Sequence, residues 1–227
     1  DSEEGFGRGM ELDGAIGDER GTPFGGATLS NITILGAGST LRNASNPGDG
    51  SQLIILRDNS GGKFYNSIFG QHHNIALTIE DVSGENEFDS RTRLEQGDIV
   101  FENNLWYDFG AGNQLNQFAP QDFVQAYLSD ASRNNRIAPL GLRGTSRVPD
   151  GGLDPRPDEN SPAWTPSQVM DDPYFERTTF IGAFGSRNWM FGWTALYDLG
   201  YLDRNKVFTS IDDIKVDIPT QLALNQN

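Results

Sequence analysis

A short pattern headed by asparagine recurs three times in the first 110 residues of this 227-residue chain. Residues 31–34, 66–69 and 103–106 each start with Asn, continue with a variable residue and end in two mostly apolar positions. A glycine follows soon after each segment. Short apolar-rich runs between Gly, Asn and Asp turns are typical of β-strands. The pattern therefore predicts an N-terminal region of short strands and tight turns.

A second group of segments interleaves with the first and ends in aspartate. These segments end at Asp13, Asp58 and Asp81, and the last two residues lie 23 positions apart. The longer interval before Asp58 contains two stretches rich in Gly, Pro and Asn, which we interpret as inserted loops. A unit of about 20–25 residues lies within the range of solenoid repeats.

Such a unit cannot bury its apolar face alone, so we expect copies to stack and share a core. Equivalent residues would then lie above one another at roughly 4.8 Å. Stacking predicts that Asn31, Asn66 and Asn103 bond one another and cap turn carbonyls. Stacked carboxylates repel, so the aspartates should face solvent, accept N–H groups of turns or share a cation.

The chain changes character after Gly110. Residues 120–128 predict a short helix with proline in its first turn, and Thr165 followed by proline predicts another helix start. The later stretch dense in aromatics and Gly is expected to cover the apolar end of a stack. We therefore divide the chain into coils (1–110), a C-terminal region of loops, short helices and an aromatic cap (111–202), and a tail (203–227) with a candidate strand at 207–218.

The chain resembles secreted bacterial right-handed parallel β-helix proteins of the pectate-lyase-like architecture over residues 8–202. The strand pattern carries part of the match, and the GAFG and GWT segments that end similar uncharacterised secreted proteins carry the rest. The matching segments are SNITILG, LIILRDNSGGKFYNSIFG, ALTIED, GLDPRP (152–157), SPA (161–163), IGAFG (181–185) and GWT (192–194). The resemblance implies an all-β right-handed parallel β-helix (a solenoid) with a small mixed helical and loop cap. It implies no catalytic residues.

Proteins of that architecture usually have more coils upstream, whereas this chain begins close to its first predicted strand. A stack cut there exposes an apolar cross-section and unpaired strand edges. We expect another protein chain, or a removed N-terminal part of the same precursor, to cover the end formed by residues 1–20.

The composition limits which classes of partner and which cellular compartments are expected for the chain. The net charge of −15 argues against nucleic acid, which requires concentrated Lys and Arg, and no apolar run is long enough for membrane insertion. The absence of cysteine excludes disulfides and thiolate zinc sites. An acidic, Asn- and Gly-rich chain without Cys is typical of extracellular, cell-surface or periplasmic proteins of Gram-negative bacteria.

Two acidic loops are candidate structural Ca²⁺ sites, because hard oxygen ligands from flexible loops suit this ion. Neither loop has the spacing of an EF-hand, and the alternative is a solvated loop that keeps the protein soluble. The candidate ligands are Asp150, Asp154 and Asp158 in one loop and Glu85, Glu87 and Asp89 in the other.

Candidate catalytic residues come from the polysaccharide chemistry of the resembled architecture. A polysaccharide lyase needs a cation or an Arg side chain beside a base, and Arg57 is the candidate arginine. A glycoside hydrolase needs two carboxylates, and Asp58 and Asp81 are the candidates for these. The alternative is that all three are ordinary residues of strand ends. We expect a non-catalytic structural or binding component of a bacterial extracellular assembly, with a polysaccharide-active lyase or glycoside hydrolase as the second candidate.

Aromatic and histidine side chains leave further alternatives. Adjacent strand residues point to opposite faces, so His72 and His73 are interpreted as part of a polar turn rather than as a metal site. Sugar stacking is one interpretation of the four tryptophans, and packing in the core or the cap is the other. They are Trp106, Trp164, Trp189 and Trp193.

Overall fold

The structure is a computed structural model that describes residues 7–14, 19–41, 50–82, 88–168, 170 and 172–204. The predicted strand at 207–218 and most of the predicted tail lie outside the described residues. No helix of the described ranges is long and apolar enough to cross a membrane.

The strands are short, with two to six residues each. They are β1 Met10–Asp13, β2 Thr28–Ser30, β3 Thr33–Leu35, β4 Gln52–Arg57, β5 Gly62–Tyr65, β6 Ile68–His72, β7 Ile75–Ile79, β8 Ile99–Glu102, β9 Leu105–Phe109, β10 Arg136–Ile137, β11 Leu142–Thr145 and β12 Leu153–Pro157.

Three parallel sheets contain the first ten strands. Their orders are β1-β4-β7, β2-β5-β8 and β3-β6-β9-β10, so each successive passage of the chain adds a strand to the same sheets. Strands β11 and β12 form a separate antiparallel pair.

The described residues contain four short α-helices. They are α1 Ser90–Glu95, α2 Leu115–Phe118, α3 Asp122–Leu128 and α4 Ala195–Asp198. Helix α1 starts where it does because the Asp89 carboxylate accepts the Thr92 N–H at 2.8 Å. Helix α3 confirms the helix predicted over 120–128, whereas the helix predicted to start at Thr165 is wrong.

The expectation of an all-β right-handed parallel β-helix is corrected by this architecture. The described residues form several parallel sheets of three or four strands with helices between them, and neither a closed sheet nor a long solenoid is present there. The chain is better described as a small mixed α/β arrangement. The physical reason is that the Asn and Asp pattern reports local turn geometry, while the number of repeats and the placement of helices depend on later segments.

The core lies between the parallel sheets and is rich in aromatic rings. Phe64 stacks on Phe101 with ring centroids 4.6 Å apart and planes 9° from parallel. Phe69 packs on Trp106 at 4.5 Å, and Trp106 in turn contacts Phe118 from α2. Helix α2 therefore covers the core at the end formed by strands β7 to β9.

The predicted asparagine ladder is confirmed between Asn66 and Asn103, whereas Asn66 is linked to Asn31 through the Ser30 hydroxyl. The Nδ2 atom of Asn103 donates to Oδ1 of Asn66 at 2.8 Å, and Asn66 donates to Ser30 at 3.0 Å. Asn31, Asn66 and Asn103 all have φ between 53° and 55°, a left-handed conformation that Asn adopts more readily than most residues. The same conformation recurs at Asn134, before β10, which the sequence pattern missed.

Side chains from α3 and its entry cover the free edges of two sheets. Gln121 accepts the N–H of Ile79 at 2.8 Å and donates to the carbonyl of the same residue at 2.6 Å. Tyr127 lies within 3.4 Å of both the Phe101 N–H and the Ile99 carbonyl on β8. Burial raises the pKa of Tyr127 to about 12, so its hydroxyl keeps its proton at neutral pH.

Candidate functional site

The predicted catalytic residue Arg57 is held in an ion-pair cluster at the end of β4. Its guanidinium lies 2.8 Å from Glu11 and 2.7 Å from Asp13, and Asp58 lies 3.7 Å away. Asp13 is the register partner of Arg57 rather than of Asp58. Asp13 is therefore one residue out of register with Asp58 in the expected column, and opposite charges face each other across β1 and β4.

Asp81, the third predicted catalytic residue, is bound elsewhere. Its carboxylate pairs with Arg91 at 2.8 Å. The neighbouring Glu80 accepts the Asp58 N–H at 2.8 Å, and burial raises the pKa of Glu80. The Arg57–Asp58–Asp81 set is thus divided between two ion-pair systems, and its charges are used in local pairing.

The predicted Ca²⁺ ligands that the structure describes have local partners. Asp150 accepts the Gly152 N–H, Asp154 makes two contacts of 2.8 Å with Arg156, and Asp158 accepts the Asn160 N–H. Asp89 is the buried N-cap of α1.

Glu85 and Glu87 lie outside the described residues. Within the described part of the chain, no group of three or more His, Asp or Glu side chains is placed to hold a metal ion. Structural Ca²⁺ stays a prediction.

The two histidines lie inside the protein rather than in an open turn. Their rings are 4.3 Å apart, and the preceding residue, Gln71, has a left-handed conformation (φ 52°). The Nε2 atom of His72 lies 2.9 Å from the Gly50 carbonyl. Burial, and secondarily the charge of His73, lower the pKa of His72 to about 4.

The tryptophans divide between the two interpretations. Trp106 is a core residue, while Trp189 and Trp193 pack together near the surface with ring centroids 5.9 Å apart. Trp164 lies apart from that pair and contacts Phe180 edge to face.

The main candidate site is a cavity of about 710 Å³ beside β10. Side chains from β9, α2 and α3 form its apolar wall, and the turn after α3 and residues 165–168 form its polar rim. The apolar members include Trp106, Leu115, Phe118, Leu128 and Ile137. A concave apolar wall with a few polar groups is the usual form of a small-molecule site.

The asparagine pattern positions the cationic member of this cavity. Asn135 accepts the Asn104 N–H at 3.3 Å and donates to the Phe101 carbonyl at 2.8 Å. These bonds set the register in which Arg136 lies opposite Leu105. The guanidinium of Arg136 is thereby brought to the cavity.

One nitrogen of the Arg136 guanidinium, Nη1, makes the hydrogen bonds that hold this side chain. Its Nη1 donates to the Pro162 carbonyl at 2.9 Å and to the Thr165 hydroxyl at 2.6 Å. Its Nε and Nη2 atoms are buried and have no hydrogen-bond acceptor among the described residues. No carboxylate of the described residues forms an ion pair with Arg136. Burial lowers the pKa of Arg136.

The rim carboxylate of Asp130 is oriented by its own turn. It accepts the Ser132 N–H at 2.9 Å and the Ser132 hydroxyl at 2.7 Å, and Arg133 lies 3.9 Å away. The Ser132 hydroxyl is the main reason that the pKa of Asp130 is lowered.

Sequence reasoning missed this cavity, although one signal was available. Residues 134–135 repeat the Asn-Asn pair of residues 103–104, which marks a further strand entry and places Arg136 on it. Comparison of the chain with protein-family models, with curated proteins and with solved structures finds no match. The pectate-lyase-like resemblance therefore stays a prediction from the residues.

Proposed function

We propose that this chain is a non-catalytic binding component whose cavity takes a small ligand bearing a single carboxylate. The observation that carries the proposal is Arg136, a residue of the cavity lining whose guanidinium has two buried donor atoms without an acceptor among the described residues. The acidic, cysteine-free composition supports a place for this role in a bacterial extracellular assembly.

Electrostatics favours an anionic group beside Arg136. A buried charge without a partner is strongly unfavourable, and a ligand carboxylate would relieve that penalty. The planar guanidinium also matches the two oxygens of a carboxylate. Both donor atoms lie below the cavity surface, so we expect binding to include a small movement of this side chain.

The charge of the ligand is limited by its surroundings. The chain carries a net charge of −15, and Asp130 contributes a carboxylate to the rim. A polyanion would be repelled by both. A single ligand carboxylate that faces Arg136 would pair with the guanidinium without this repulsion.

The remaining cavity surface suggests a compact ring with hydroxyl groups. Leu115 and Ile137 offer apolar contacts, while Asp130, Ser129 and Asn134 offer acceptors and donors at the rim. A monomeric sugar acid combines these features.

Isothermal titration calorimetry with acid and neutral probe pairs tests the proposal. The acids are galacturonate, glucuronate and benzoate, and their neutral counterparts are galactose, glucose and benzyl alcohol. At least one acid should bind at least tenfold more tightly than its counterpart, since a hydrogen bond to a charged group contributes roughly 1.5–3 kcal/mol.

Two arginine variants separate the site from general charge effects. Arg136→Gln should lose the preference for the acid, whereas Arg143→Gln, which removes an exposed arginine bonded to the Pro157 carbonyl, should keep it. Failure of all three acids to bind, or equal loss in both variants, would overturn the proposal.

A further inference from the structure

We infer that a second surface, separate from the cavity, binds a neutral polysaccharide. This surface is the aromatic ladder formed by Phe184, Trp189 and Trp193 in the C-terminal region. None of the three lines the cavity beside Arg136, so the inference does not depend on the function proposed for that cavity.

The three rings are stacked from the interior outward. Phe184 and Trp189 are 5.1 Å apart with planes 1° from parallel, and Trp193 lies 5.9 Å from Trp189 at an angle of 31°. Phe184 is buried in a small cluster with Met190 and Leu202. The inner ring is therefore anchored in the protein, and each further ring rests on the one before it.

The polar edges of both indoles are already used. The Nε1–H of Trp189 donates to the Ala183 carbonyl at 2.8 Å, and that of Trp193 donates to the Trp189 carbonyl. Trp189 nevertheless remains 44% exposed and Trp193 69% exposed. Hence the surface offered to solvent is mainly ring surface, held in a fixed orientation.

Local structure keeps the outer ring in place. The Thr194 hydroxyl donates to the Met190 carbonyl at 2.9 Å, and Thr194 also caps α4 through the Tyr197 N–H. Trp193 therefore lies in a segment that hydrogen bonds hold at Met190 and at Thr194. A pre-ordered aromatic side chain loses little conformational entropy on binding.

The size of the surface suits a glycan better than a protein. The exposed fractions of the two tryptophans add up to about one whole indole side chain, on the order of 250 Å². A stable protein interface needs roughly 800 Å² from each partner.

Charge selects a neutral glycan over an acidic one. The chain has 32 acidic and 17 basic residues, so a polyanion approaching this surface would be repelled. The apolar C–H face of a neutral pyranose can lie on an indole without any charged partner. The occupant is therefore a neutral polysaccharide that stacks on Trp193.

Affinity electrophoresis of the whole chain in gels with β-glucan, xylan or galactomannan provides the test, with pull-down on cellulose and chitin for insoluble glycans. At least one of these should retain the protein, with quenching of tryptophan fluorescence. Polygalacturonate should not retain it.

Tryptophan variants localise the binding. Trp193→Ala should reduce retention at least tenfold, while Trp164→Ala, which removes a less exposed indole outside the ladder, should leave it unchanged. Melting curves check that both variants fold. Arg136→Gln should retain glycan binding, which distinguishes this surface from the cavity.

Three results would overturn the inference. One is that none of the five glycans retains the protein. Another is that Trp193→Ala and Trp164→Ala behave alike. The last is that light scattering shows Trp193 to control self-association instead, which would make the ladder a contact between copies of the chain.

Discussion

Strands β1–β3 and strands β4–β6 follow the same sequence pattern, yet they differ sharply in burial. Strand β4 contains three fully buried apolar residues, and β6 is buried at four of its five positions. No residue of β1, β2 or β3 is buried to that extent. The pattern specifies a strand, whereas burial requires a covering layer on each side. A second paired strand provides that layer for β4 and β6, and Gln121 with α3 provides it for the end strands β7 and β8.

The neighbours explain this difference. Strand β4 pairs with β1 on one side and β7 on the other, while β1 pairs with β4 alone among the described residues. Leu12 and Leu56 occupy partner positions across that pair. Leu56 is completely buried, and Leu12 packs against the core while remaining partly exposed.

The largest expected effect compares these two leucines. Leu56→Ala should lower the free energy of unfolding by about 2–5 kcal/mol, because it leaves a cavity in a closed core. Leu12→Ala should lower it by roughly half as much, since part of its side chain already contacts water. Urea denaturation measures both. An equal loss would show that something covers β1 in solution and would break the comparison.

The second-largest expected effect is a change of folding stability with pH, and it arises from His72 in β6. The pKa of His72 is lowered from 6.5 to about 4, so the unfolded state binds a proton more readily than the folded state between these values. Stability should therefore fall as the pH decreases from 6.5 to 4, by about 3 kcal/mol, and level off below pH 4.

Unfolding curves at several pH values, compared with those of His72→Gln, isolate this contribution. The variant lacks the titrating ring, so its stability should change less over the same interval. A parallel pH dependence in the two proteins would assign the effect to carboxylates instead.

The smallest expected effect compares two asparagines of the ladder. Asn31 and Asn66 have nearly the same left-handed conformation, so backbone strain on replacement by alanine should be similar. Asn66 is also buried and accepts bonds from Asn103 and Gln168. Asn66→Ala should cost about 1–3 kcal/mol more than a fully solvated site would, because buried donors lose their acceptor.

Asn31→Ala should cost less, since its side chain is only partly buried. Thermal and urea unfolding of both variants give the difference. If Asn31→Ala proved the more destabilising, its donors to the Phe180 and Gly182 carbonyls would be the more important contacts, and the contrast between the two regions would reverse.

Local features of the fold could be predicted from the sequence. The asparagine ladder was predictable because Asn is one of the few residues that adopt a left-handed conformation readily. The aspartate column was predicted one residue out of register at Asp13, because an aspartate at the end of each strand does not reveal that Asp13 pairs with Arg57. The overall fold class was wrong because turn patterns carry no information on how many passages the chain makes.

The cavity lay beyond sequence reasoning for a related reason. Its wall and rim come from segments as distant as Trp106 and Gln168, whose proximity depends on where α2 and α3 pack. Arg136 resembles any other strand-entry arginine in the sequence. Its lack of a carboxylate partner becomes visible in three dimensions alone.

The amide of Gln121 offers Ile79 the same pair of groups that another strand would offer. Together with Tyr127 on β8, it stops two sheets from recruiting a further strand at that end. Among the described residues, the edges of these two sheets that lack such a side chain are those of β1 and β2. Two copies joined there would turn their blocked ends outward, so assembly by this route would stop at a pair instead of growing into a fibre.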